Sequence, residues 1–94
     1  MNYDLSGIWD SNIGFVYEFF GKGDVYHWKV IGGTVELQGR VTVKTSTRTF
    51  HEWGPTDSGY TYSCWNTITG FDSHGNPIRI DGENGVIFFR RTGA

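Results

Sequence analysis

The residues best equipped for chemistry lie scattered along this chain. His51-Glu52-Trp53 stands just before the stretch Gly54-Pro55-Thr56-Asp57-Ser58-Gly59. Adjacent side chains on a strand point to opposite faces, so His51 and Glu52 cannot jointly serve one site, whereas His51 and Trp53 share a face. A His beside a Trp at the mouth of a cup could orient a ligand. The ordinary alternative puts Phe50 in the core and leaves His51 and Trp53 on the surface or in a subunit contact. Glu18 lies among Phe15, Tyr17, Phe19 and Phe20. If buried there, its carboxyl would titrate high and could act as acid or base; otherwise it belongs to an exposed row. Cys64 has no His close to it in sequence, and a buried Cys is usually inert as a nucleophile. His27, His51 and His74 fall on three separate segments without paired spacing, which argues against a metal site. Gly21-Lys22-Gly23 reads as a turn, since a phosphate cradle requires a helix to follow.

The elements that position these residues read as strands. Glycine supplies 14 of the 94 residues, and the glycines punctuate apolar stretches. Gly21-Lys22-Gly23-Asp24 predicts a hairpin turn and Gly32-Gly33 a two-residue hairpin. Asp72 to Pro77 and Asp81 to Gly85 are two further turns. In Val25 to Ile31, Tyr26, Trp28 and Val30 share a face opposite His27 and Lys29. From Thr34 to Lys44, Val35, Leu37, Gly39, Val41 and Val43 alternate with polar residues. This predicts one long strand bent at Gly39, or two strands with a bulge there. Tyr60, Tyr62, Cys64, Asn66 and Ile68 share a face that suits an interior with a polar inlay. With Gly7 to Ser11, Phe15 to Phe20, Thr47 to Trp53, Ile78 to Asp81 and Val86 to Arg91, the count reaches eight. The expected fold is all-β: one domain over residues 1–94, a small antiparallel up-and-down barrel, or alternatively a flattened β-sandwich.

Composition narrows the partners. A net charge of −2 and no polybasic tract argue against nucleic acid and against a membrane surface. The single cysteine permits no internal disulfide. The polar start and the lack of a long apolar run predict a cytoplasmic protein. No cofactor is implied. The aromatics, four Trp, five Tyr and seven Phe, exceed what a short barrel needs for closure, which leaves some for a pocket or an interface.

Both chain ends carry a pattern. Ser6-Gly7-Ile8-Trp9 opens the chain and Phe88-Phe89-Arg90-Arg91 nearly closes it. The opening resembles the Gly-x-Trp signature of lipocalin-like (calycin) barrels. The resemblance implies that Trp9 packs at the closed end against Arg90 or Arg91, and that the chain is a miniature bacterial relative. The chain is shorter than a typical lipocalin and offers no candidate for the helix that usually follows the barrel. Avidin-like barrels share a similar opening, but their biotin-contacting pattern finds no match here.

Three functions follow as expectations. The first is binding of a small apolar or aromatic ligand by Tyr17, Tyr26, Trp28, Phe50, Tyr62 and Asn66. The second is a homo-oligomer or other protein contact, through the aromatic surface or an open strand edge. The third is a small enzyme with Glu18 or His51 as general base.

Overall fold

The computed structural model describes residues 3–91. Its regular structure is eight strands: β1 (Gly7–Ser11), β2 (Val16–Lys22), β3 (Val25–Ile31), β4 (Leu37–Val43), β5 (Arg48–Pro55), β6 (Tyr62–Phe71), β7 (Pro77–Gly82) and β8 (Ile87–Arg90). Each strand pairs antiparallel with the next, and β1 pairs with β8, so the sheet closes into an up-and-down barrel rather than a flattened sandwich. Alternation does most of the sorting. Tyr26 and Trp28 on β3, Val41 and Val43 on β4, and Asn66 and Ile68 on β6 all turn inward and are buried.

One end of the barrel is shut by the segment before β1. Leu5 and Trp9 are fully buried, and Trp9 donates its indole N–H to the Leu5 carbonyl at 2.9 Å. Trp9 faces Arg90 across the β1–β8 seam, and the Arg90 guanidinium lies 5.5 Å from the indole centroid. The same guanidinium donates to the carbonyls of Asp4 (2.6 Å), Pro77 (3.1 Å) and Ser6. One planar cation thus stacks on an aromatic face and caps three carbonyls that the strand ladder leaves over. Arg91 points the other way and forms a two-pronged pair with Asp10 on the outside, at 2.6 and 3.1 Å.

Two local expectations are corrected. Gly32-Gly33 is not a two-residue hairpin: β4 begins only at Leu37, and Val35 is exposed. A two-residue turn there would set Trp28 opposite Leu37, but Trp28 pairs with Gly39 instead. The reason is packing: a Cβ on Gly39 would stand 2.2 Å from Cε2 of Trp28, so the indole occupies the space that only this glycine leaves empty. Gly39 also carries no bulge. Pairing runs without interruption through Trp28, Gly39 and Trp53 on three neighbouring strands. The bulge in this sheet lies elsewhere, between β6 and β7 around Gly70.

Candidate functional site

The end opposite Trp9 stays open. There the loops β1–β2, β3–β4, β5–β6 and β7–β8 surround a cavity of about 110 Å³. Its walls are aromatic: Phe15 and Tyr17 from the start of β2, Trp28 from β3, Trp53 from β5 and Phe88 from β8. Tyr17 organises this wall, standing edge-on to Trp28 at 4.8 Å and to Phe88 at 4.9 Å between ring centroids. Such edge-to-face contacts hold rings in fixed positions and so keep the wall pre-formed. Burial pushes the pKa of the Tyr17 hydroxyl up to about 12, against the opposing hydrogen bond with the Ser11 side chain, so the group remains protonated.

The other wall is polar. His51 pairs directly with Cys64, and Thr49 with Asn66, across β5 and β6. All four side chains face inward, and His51, Cys64 and Asn66 line the cavity. The Cys64 thiol donates to Oδ1 of Asn66 at 2.9 Å. His51 is 1% exposed, stacks on Phe88 at 5.3 Å, and its Nε2 has no hydrogen-bond partner among the described residues. Burial alone drives its pKa down to about 3, so the ring is neutral near pH 7. Burial raises the Cys64 pKa; the backbone N–H groups of Asn84 and Glu83 oppose the rise, and the negative charge of Glu83 adds to it. The thiol form therefore prevails, and neither residue is primed for nucleophilic or base chemistry.

Of the six residues expected to hold a ligand, three line this cavity: Tyr17, Trp28 and Asn66. Tyr62 stands at the rim, 59% exposed and stacked on Trp53 at 5.8 Å. Tyr26 is buried, but away from the cavity. Its hydroxyl lies at the closed end, 3.5 Å from the Tyr3 carbonyl. Phe50 is on the outer face, edge-on to Trp65 at 5.0 Å. The expectation of Phe50 inside and His51 outside is thus inverted. The phase of β5 is set by Thr49, whose neighbours Val43 and Asn66 both face the lumen, and this places His51 inside. Glu18 is likewise outside, paired with Lys29 at 3.6 Å, and reaches no cavity. His51, Trp53 and Cys64 also line the cavity: the sequence offers His51 and Trp53 as a pair at the mouth and Cys64 on an inward row, but the expected ligand set of six leaves all three out. The His51–Cys64 adjacency needs the register, since thirteen positions separate them. Among the described residues no three His, Cys, Asp or Glu side chains gather as a metal site.

The chain matches no known protein-family model, no curated protein and no solved structure.

Proposed function

We propose that this protein binds a small, largely apolar molecule in the open end of its barrel, as a miniature lipocalin-like carrier or sensor. The observation that carries the reading is the cavity itself: concave, pre-formed, aromatic on one side, and furnished on the other with a few convergent polar groups. The Trp9–Arg90 stack at the closed end is what the lipocalin-like resemblance implies, and it leaves the opposite mouth free for a ligand. Native mass spectrometry of freshly purified protein, followed by thermal-shift measurement against single-ring aromatics, tests the reading. A retained small mass or a ligand-dependent rise in Tm supports it. Filling the mouth with Leu37→Trp should abolish the response. A ligand-free protein whose Tm is unmoved by every compound would refute it.

A second reading, self-association through the outer face, draws on a different observation. Phe20, Trp65, Phe71 and Phe89 are each 37–47% exposed on the outside of the barrel. Because the barrel is closed, every strand already has two neighbours, so such association would use side chains and not a strand edge. The same native mass spectrum reports it as a dimer or larger species.

A further inference from the structure

The inner wall is apolar nearly everywhere, and the exception is compact. Thr49, His51, Cys64 and Asn66 form a square of four inward side chains on two paired strands. One hydrogen bond, from Cys64 to Asn66, is made inside the square. Among the described residues Nε2 of His51 and Oγ1 of Thr49 are buried without partners, as is Nε1 of Trp28 on the aromatic wall. Each such group forfeits its hydration without a compensating bond, and apolar side chains of similar shape would avoid that cost. Native structures keep few unsatisfied buried groups, and those they keep call for an explanation. Three corners of this square lie in the cavity wall, facing the rings of Tyr17, Trp28 and Phe88.

Resting on the ligand-binding reading above, we propose that the cavity takes an uncharged aromatic molecule bearing a hydroxyl group. Its ring lies against Tyr17, Trp28 and Phe88, and its hydroxyl bonds the His51 imidazole. Size sets the first constraint. The space of about 110 Å³ is somewhat smaller than the roughly 150 Å³ cavity known to admit benzene, so one ring fills it and larger substituents extend through the mouth. Charge sets the second. No Lys, Arg, Asp or Glu is among the lining residues. A carboxylate or an ammonium group would lose its water there and gain no counter-ion. Hydrogen bonding sets the third. A neutral imidazole carries one donor and one acceptor nitrogen, and a hydroxyl both donates and accepts, so it satisfies His51 in either tautomer. The side-chain amide of Asn66 and the thiol of Cys64 lie beside it as further polar contacts for a second substituent.

The test uses four probes of one ring each: phenol, toluene, benzoate and benzylammonium. Affinities are measured by calorimetry, and the ring nitrogens of His51 are followed by NMR on ¹⁵N-labelled protein. Phenol is expected to bind at least about tenfold more tightly than toluene, the worth of one hydrogen bond made to a buried group otherwise left unpaired. It should move the His51 nitrogen resonances, which toluene should not. In His51→Leu, phenol should fall to the affinity of toluene, while toluene binding persists. The wild-type resonances carry the test even if that variant folds poorly. Equal binding of phenol and toluene with unmoved His51 resonances overturns the hydroxyl assignment and leaves the ligand-binding reading standing. Tighter binding of benzoate or benzylammonium overturns the requirement for an uncharged ligand. Binding of none of the four overturns both readings.

Discussion

Lowering the pH should destabilise this protein through His51 before its carboxylates matter. The folded state holds His51 neutral down to a pKa of about 3, against an ordinary value of 6.5 in the unfolded chain. The sign follows from proton binding. Above pH 6.5 neither state protonates the ring, and His51 carries no penalty. Below it the unfolded chain takes up a proton that the folded chain refuses, so each unit of pH favours unfolding by about tenfold. At about pH 4.5 the accumulated loss is near 3 kcal/mol, a large share of the roughly 5–15 kcal/mol by which such domains are stable. The lowered pKa values of Asp10, from its hydrogen bond with Arg91, and of Asp81, from its hydrogen bond with Arg79, act in the same direction but in a later window. Their contribution is present above the ordinary carboxylate value of 3.8 and is lost as pH falls below it. Urea denaturation of wild type and His51→Leu at pH 7 and at about pH 4.5 isolates the His51 effect as a difference of differences. The variant should be at least as stable as wild type at pH 7, because it removes an unpartnered Nε2, and should lose about 3 kcal/mol less on acidification. Parallel loss in the two proteins would refute the reasoning, because it would mean that folded His51 protonates as freely as unfolded His51.

Three further outcomes are expected. Trp9→Ala should destabilise by about 3–5 kcal/mol in chemical denaturation, since a fully buried indole and its bond to Leu5 are lost together. Gly39→Ala must push the Trp28 ring out of its place, so ligand response should fall by more than stability does, as followed by thermal shift with and without an aromatic ligand. Cys64 should react with iodoacetamide more slowly than a free thiol at pH 8, because burial raises its pKa; any ligand that fills the cavity should slow it further, as read by mass spectrometry over time.

Much of the barrel is legible in the chain because alternation and glycine punctuation are local. The inward row Tyr26, Trp28 and Val30 needs only a period of two, and the meeting of Trp9 with a terminal arginine follows from the resemblance of the chain ends, which leaves Arg90 and Arg91 both open until the seam register selects Arg90. Register is less legible. Nothing near Gly32-Gly33 announces that a glycine seven positions on must sit beneath Trp28, so a two-residue turn looks adequate from sequence. The site is legible in part. Tyr17, Trp28 and Asn66 line the cavity, but hydropathy favours Phe50 over His51 for an interior position and so puts β5 in the wrong phase. The structure resolves that preference against hydropathy: Phe50 finds an aromatic partner outside in Trp65, and His51 finds Phe88 inside. A buried His facing a Cys across two strands is a property of pairing, and composition does not carry it.

The seam between β1 and β8 has a consequence for how the barrel comes together and apart. The other seven pairings join neighbours in sequence, so each can form as a hairpin on its own. Only the seam must gather residues about eighty positions apart, and it does so over just three paired positions, Trp9–Arg90, Asp10–Phe89 and Ser11–Phe88. The entropy of closing the whole chain therefore falls on one short ladder, reinforced by Arg90 at the carbonyls and Arg91 at Asp10. In kinetic terms the seam behaves as a clasp. Loop-closure entropy predicts closure there as a late step of folding and parting there as an early step of unfolding, with the hairpins still formed. Phe88 belongs to both the clasp and the cavity wall, so filling the cavity is expected to slow the parting of the clasp.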